Sequence, residues 1–362
     1  MAYTTIDDPS AYFKVQLYTG NGSANHAITF DDTDTDMQPD FVWIKNRDTT
    51  DDNCLFDVVR GVGEVLVSNS NESDATDADT LDAFQSDGFR VDADVKVNTN
   101  TEKYVAWCWK AGTTSGINTT GANTTPTTYS FNQTAGFSII QYDGNGTDDT
   151  QIAHGLATVP HCIFVHNMDA DDDGGVSWAV YHHKNTSAPE TDFLTLDETY
   201  ATADASNRWS DEAPTSVLFT TGSNSTVNKS SRDYIAYLWT GKQGYSKFGS
   251  YEGNGNADGT FVYTGFRPAY VMTKSIDSTS SWHIFDNKRE GYNVDNDALI
   301  ANNTSGSPGP GTAEATTDMI GILSNGFKCR IATDPNVAET YIYAAFAEAP
   351  FVNSKGVPCN AR

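Results

Sequence analysis

The sequence predicts an all-β chain of three tandem antiparallel β-sandwich repeats, jelly-roll in kind and about 110 residues each. Three observations predict it. Tyr18-Thr19-Gly20-Asn21-Gly22 recurs as Tyr142-Asp143-Gly144-Asn145-Gly146 and as Tyr251-Glu252-Gly253-Asn254-Gly255, 124 and then 109 residues further on. Such spacings exceed a solenoid period of roughly 20–50 residues and suit a whole small domain. The apolar runs are short, rich in Val, Ile, Phe, Tyr and Trp, and separated by Gly, Asn, Asp, Ser and Thr, the pattern of strands between turns. No long segment carries a 3.6-residue apolar period; only residues 297–302 and 312–322 suggest a helical turn or two.

Each element follows in order. Phe13-Lys14-Val15-Gln16-Leu17 alternates strictly, which predicts a strand with one buried face. Its counterparts are Phe137-Ser138-Ile139-Ile140-Gln141 and the weaker Lys247-Phe248-Gly249-Ser250. The Asn-Gly that follows predicts a hairpin turn, because both residues tolerate positive φ. Proline then opens a second strand at Pro39, Pro160 and Pro268, where no ladder donor is lost. A third strand is Leu55-Phe56-Asp57, matched by Trp178-Ala179-Val180-Tyr181 and Trp282-His283-Ile284-Phe285-Asp286. Basic residues follow it: Arg60, Lys184, and Lys288 with Arg289. A fourth strand is Gly88-Phe89-Arg90-Val91, matched by Gly326-Phe327-Lys328-Cys329 and loosely by Val217-Leu218-Phe219.

The closing strand has the clearest register: Tyr104-Val105-Ala106-Trp107-Cys108-Trp109, Tyr234-Ile235-Ala236-Tyr237-Leu238-Trp239, and Tyr341-Ile342-Tyr343-Ala344-Ala345-Phe346. Its aromatics read as core. Asn98, Asn228 and Asn336 precede it by five or six residues. The boundaries predicted are 1–112 for the first repeat, 113–128 for a Ser/Thr/Asn-rich bridge, 129–243 for the second repeat and 244–362 for the third with its tail.

The net charge of −26, from 48 acidic and 22 basic residues, disfavours nucleic acid and anionic membrane as partners. Five cysteines without ligand spacing argue against zinc and for free thiols, buried at Cys108 and Cys162 and exposed at Cys359. Residues 1–11 lack the basic start and apolar run of a signal peptide, and no stretch reaches the ~20 apolar residues of a membrane span.

Sequence signatures of catalysis are missing. There is no Gly-x-Ser-x-Gly, His-Glu-x-x-His, P-loop or dinucleotide fingerprint. His182-His183 stands where the third repeat has Asp286-Asn287, so it is a poor shared base. The chain is therefore read as a non-enzyme. Two acidic clusters remain. Asp31, Asp34 and Asp36, and Asp169, Asp171 and Asp173, alternate closely enough to offer calcium several oxygens. Neither cluster completes an EF-hand, and a solvated acidic loop is the competing explanation. No other cofactor is expected.

The closing run Tyr341-Ile342-Tyr343-Ala344-Ala345-Phe346-Ala347-Glu348-Ala349-Pro350-Phe351 is distinctive, as is Gly265-Phe266-Arg267-Pro268 followed by Lys274, Trp282, Phe285-Asp286 and Arg289. Together with the tail Val352-Asn353-Ser354-Lys355-Gly356-Val357-Pro358, they resemble a repeat in structural proteins of tailed, especially marine, bacteriophages. The middle repeat departs from it: Val159-Pro160 has no Gly-Phe before it, and Tyr181-His182-His183 replaces Phe-Asp. The resemblance implies a virion component with lectin-like sandwich domains, on the tail or on the capsid and assembled in the host cytoplasm, and it brings no catalytic residue to carry over. The expected role is an exterior appendage, a tail-fibre or spike-associated subunit that contacts the host surface. A head decoration protein is the alternative, and a glycan-binding or glycan-degrading module a further one. Expected partners are other virion proteins, further copies of the chain, and a host glycan or receptor. Residues that differ between repeats, such as His182 against Asp286, are where specific contacts are expected.

Overall fold

The structure, a computed structural model, describes residues 2–30, 35–169, 176–289, 297–305, 313–315 and 317–359. It is all-β, with antiparallel sheets, none of them closed. In the first segment the strands are β1 (Phe13–Thr19), β2 (His26–Thr29), β3 (Phe41–Asn46), β4 (Cys54–Asp57), β5 (Glu64–Val67), β6 (Ala75–Thr76), β7 (Leu81–Gln85), β8 (Gly88–Val91) and, after the helical turn α1 (Val95–Asn98), β9 (Lys103–Trp109). They form one sheet in the order β1-β9-β3-β4-β5-β6 and a smaller one, β2-β8-β7.

The second segment contains β10 (Thr128–Asn132), β11 (Phe137–Asp143), β12 (Thr150–Ala153), β13 (Cys162–Asn167), β14 (Ala179–His182), β15 (Asp192–Thr195), β16 (Ala203–Asp204), α2 (Ser206–Trp209), β17 (Leu218–Thr221), α3 (Ser225–Asn228) and β18 (Asp233–Trp239). Its sheets are β10-β11-β18-β13-β14-β15-β16 and β12-β17. The third contains β19 (Ser246–Glu252), β20 (Phe261–Tyr263), β21 (Phe266–Ser275), β22 (His283–Asp286), β23 (Leu299–Ile300), β24 (Ile320–Leu323), β25 (Gly326–Cys329) and β26 (Thr340–Pro350). They pair as β19-β26-β21-β22-β23 and β20-β25-β24.

The closing strands carry both faces into apolar surroundings. In β9, Tyr104, Ala106 and Cys108 point toward β2, β7 and β8 and join a core that also holds Ile28, Leu81 and Phe89. The alternate residues Val105, Trp107 and Trp109 enter a different core. β18 divides in the same way, with Tyr234, Ala236 and Leu238 on one face and Ile235, Tyr237 and Trp239 on the other. In β26, Tyr341, Tyr343 and Ala345 face one core while Ile342 and Phe346 face the other. The second core is shared: Phe41, Trp109, Trp239, Tyr270 and Phe346 meet there from all three large sheets. Ring contacts join Trp109 to Trp239 at 6.2 Å and to Phe346 at 5.4 Å. Edge-to-face aromatic pairs of this kind add to the gain from burial.

Several expectations are corrected. β1 does not bury one face only: Phe13, Lys14, Val15 and Gln16 are all buried. Period-2 alternation marks two chemically different faces but does not show that the polar one is covered as well. Here the Lys14 ammonium lies 5.1 Å from the centre of the Phe30 ring. Pro268 lies inside β21 rather than opening it, at a register shift against β26 where a strand tolerates a missing donor. Residues 297–302 contain β23, and residues 312–322 run into β24, so neither stretch is helical over its described part. Four thiols are buried and Cys359 is exposed, all free. Among the described residues no helix is long and apolar enough to cross a membrane.

Candidate functional site

The recurring turn is not a hairpin turn. β1 pairs with β9, and Gly20 to Gly22 carry the chain away toward β2 in the other sheet. A buried asparagine holds this crossing. Asn98 Oδ1 accepts from the Asn21 N–H at 2.8 Å, and its Nδ2 donates to Asn21 Oδ1, Ser23 O and Asp92 O. Asn228 does the same for Asn145, with Thr147 O and Thr150 Oγ1 as its further acceptors. Asn336 holds Asn254, Asn256 O and Ile331 O. A tyrosine pair stacks beside each clamp: Tyr18 on Tyr104, Tyr142 on Tyr234 and Tyr251 on Tyr341, with ring centres 5.0, 5.3 and 5.1 Å apart. The glycines are steric necessities. A Cβ on Gly20, Gly144 or Gly253 would sit 2.1, 2.2 or 1.9 Å from a backbone carbonyl oxygen.

The third strands and their basic followers join the segments. Asp57 Oδ1 accepts from the N–H groups of Val59 and Arg60, and Oδ2 takes Arg60 Nε at 2.6 Å. Asp286 repeats this with Lys288, Arg289 and Arg289 Nε at 2.6 Å. Each carboxylate also receives a donor from another segment: Tyr237 OH at 2.7 Å on Asp57, and Trp107 Nε1 at 3.1 Å on Asp286. His182 fills the corresponding place in the second segment. Its Nδ1 accepts from the Lys184 N–H, and its Nε2 donates to Tyr343 O at 3.3 Å. First therefore touches second, second touches third, and third touches first.

A second circuit runs the other way. Trp178 Nε1 donates to Val67 O at 3.0 Å, Trp282 Nε1 to Thr195 O at 2.7 Å, and Asn53 Nδ2 to Ile300 O at 3.1 Å. His182 is 2% exposed, so the contact expected at that varying residue is internal. His161 stacks on His183 with ring centres 4.1 Å apart. Burial first, then the His183 and Lys184 charges, push His161 down to about 4.

An open cleft of about 370 Å³ lies where the first segment meets β10, a strand with no counterpart in the other two large sheets. Its wall includes Gln38, Asp40, Val58, Thr128, Tyr129 and Ser130. Asp40 is 5% exposed. Its Oδ2 accepts from the Ala111 N–H at 2.8 Å, and Oδ1 takes no hydrogen bond from a described residue. Burial pushes this carboxyl up to about 6, against the pull of the Ala111 N–H and of Lys110. Among the described residues it is the one carboxylate in the cleft wall.

Of the calcium candidates, Asp31, Asp34, Asp171 and Asp173 lie outside the described residues. Asp36 is exposed, and Asp169 accepts from the Asp233 N–H through Oδ2 at 2.7 Å. Among the described residues no group of three or more His, Cys, Asp or Glu is placed to hold a metal.

One family model matches residues 8–350, a domain of unknown function (DUF7483). The chain belongs to that family. The match spans all three segments, from the turn before β1 to the end of β26. No curated protein and no solved structure matches the chain.

Sequence reasoning noted Asn98, Asn228 and Asn336 and the recurring turn without joining them; their equal placement before the closing strand was the available signal. It missed Asp40, which differs at matched positions. His161 and Ala269 stand in its place, as the common ladder shows: Val58 N–H donates to Asp40 O, His183 to His161 O and Asn287 to Ala269 O.

Proposed function

We propose that the chain is a structural subunit of a bacteriophage virion, made of three fused β-sandwich repeats at residues 1–112, 129–243 and 244–362 with 113–128 as the bridge. The observation that carries this reading is the double circuit of contacts around a common aromatic core. A head-to-tail contact that returns to its start after three steps is the geometry of a closed cyclic trimer, here within one chain. Such an arrangement keeps three sandwiches rigid, as load-carrying particle parts require. The buried asparagines, Trp side chains and Asp–Arg pairs serve that architecture rather than turnover, so the protein is read as non-catalytic.

Its place is an exterior appendage, tail-fibre or spike-associated, that contacts the host surface and assembles with other virion proteins and further copies of itself. The charge of −26 keeps such a surface away from packaged nucleic acid. A head decoration role draws on the same ring, since a threefold-like monomer fits a local threefold position. A density map of the virion with the subunit located tests both. Density at the tail is the expected result; a copy on every capsomer would sink the appendage reading, and absence from the particle would sink both.

A further inference from the structure

The cleft beside Asp40 holds a carboxylate that the fold does not fully use. At the matched positions His161 and Ala269 accept the same ladder hydrogen bond, so the ladder itself does not require a carboxylate. The cap on the chain after the closing strand needs one acceptor atom. Asp40 Oδ2 supplies it to the Ala111 N–H, as His161 Nδ1 does to the Gly241 N–H at 3.0 Å. That leaves Oδ1 of a nearly buried carboxyl without a partner among the described residues and at the wall of a cleft about 370 Å³ in volume. Ligand sites run from about 300 to 1,000 Å³ and pair apolar walls with a few placed polar groups.

The rest of the wall narrows the ligand. Thr127 and Thr128 are exposed hydroxyls, and each can both donate and accept. Val58 offers apolar surface, while the half-buried Tyr129 borders the cleft with its ring packed on the second segment's core. A calcium ion wants six to eight oxygens with several carboxylates among them, and among the described residues a single carboxylate lines the cleft. An anionic ligand would face that carboxylate within a chain of net charge −26. A neutral molecule bearing several hydroxyls and a C–H face fits every group present.

We propose that this cleft binds a neutral saccharide. Asp40 Oδ1 accepts from the ligand's hydroxyls, Thr128 and Gln38 make further hydrogen bonds, and Val58 packs on the sugar's C–H face. β10 supplies Thr128, and among the described residues it has no counterpart in the other large sheets, so the site occurs once there. It rests on the surface-contact part of the proposed function and gives that contact a chemistry. Because burial pushes Asp40 up to about 6, its carboxylate is the dominant form at pH 7.5 and the minor form at pH 5, and binding weakens on acidification.

The test is saturation-transfer NMR on the full chain at pH 7.5. The probes are the methyl glycosides of glucose, galactose, mannose and N-acetylglucosamine, with maltose and lactose, each at millimolar concentration. At least one is expected to receive saturation, with affinity falling about tenfold or more in Asp40→Asn. Asparagine keeps an oxygen for the Ala111 N–H, so the melting midpoint checks that the fold survives. If Asp40→Asn does not fold, Thr128→Val decides, since it removes an exposed hydroxyl, and weaker binding is expected. No transfer from any probe, or equal transfer in wild type and the deciding variant, overturns the proposal. A negative result with the subunit still on the virion removes the cleft alone; binding by a subunit absent from the particle removes the structural reading alone.

Discussion

Asn98 shows how much one side chain does in this chain. It is fully buried, uses both of its polar atoms, and ties a turn to the strand approach 77 residues later. Its counterparts close spans of 83 and 82 residues. Replacing it with alanine leaves the Asn21 N–H without its acceptor and Ser23 O and Asp92 O without their donor. Asn98→Ala is expected to cost about 2–4 kcal/mol in urea unfolding, since each buried group left unpaired costs about 1–3 kcal/mol. A cost near zero would mean that water replaces the side chain. Two glycines make a second contrast. Gly20→Ala drives a Cβ to 2.1 Å from Thr99 O, whereas Gly61 has φ +105° and open space. Gly20→Ala is expected to prevent folding or cost more than about 3 kcal/mol, and Gly61→Ala about 1–2 kcal/mol from its backbone alone; equal melting shifts would contradict this. The tyrosines, glycines and asparagines were all visible in the sequence as a recurring pattern. The hydrogen bonds between turn and asparagine were not, because they join residues some 80 positions apart that local propensity does not relate.

Among the elements, β3, β13 and β21 show one scaffold tolerating different chemistry. Lys45, His166 and Lys274 occupy one position, set by registers that pair Phe41 with Trp109, Cys162 with Trp239 and Tyr270 with Phe346. All three are fully buried. Burial is the main cause of each shift: it pushes the two lysines down to about 8 and His166 down to about 4. The His166 ring lies on Trp178 at 4.3 Å, and Nε2 donates to Glu72 O at 2.8 Å. A histidine held below its unfolded value of about 6.5 binds fewer protons folded than unfolded, so stability rises with pH. Its full contribution is present above pH 6.5 and is lost as pH falls toward 4. Asp40, Asp74 and Asp197, all raised to about 6 chiefly by burial, act in the opposite sense over the same range. The comparison is therefore made against His166→Gln, which can still donate to Glu72 O. Between pH 7 and pH 5 the stability gap is expected to move about 2 kcal/mol in the variant's favour, at about 1.4 kcal/mol per pH unit. A gap that does not change with pH would show that His166 titrates normally. The sequence showed these strands and their order; the charge state at a shared position depends on the burial that only packing imposes.

Across the whole molecule the deciding feature is the core shared by three sheets. Trp239 contacts Phe137 and Phe164 at 5.1 Å and also meets Trp109 and Phe41. Since its neighbours come from two segments, the segments should unfold together. Calorimetry of the full chain is expected to give one transition, and Trp239→Ala to lower it by the equivalent of about 3–5 kcal/mol while keeping it single. Separate transitions for separate segments would sink the idea of a common core. By itself the sequence determined the all-β class, the chain order of the landmark strands, the matching register of the closing strands and the recurrence of the turn, because side-chain period and turn chemistry are local properties. Only the tertiary structure decided that the aromatic outer faces of the closing strands turn inward on one another, that His182 and the Asp–Arg pairs complete circuits between segments, and that Asp40 opens onto a cleft. Those outcomes depend on which apolar faces find each other, and a strand's own pattern shows which face is apolar without showing what covers it.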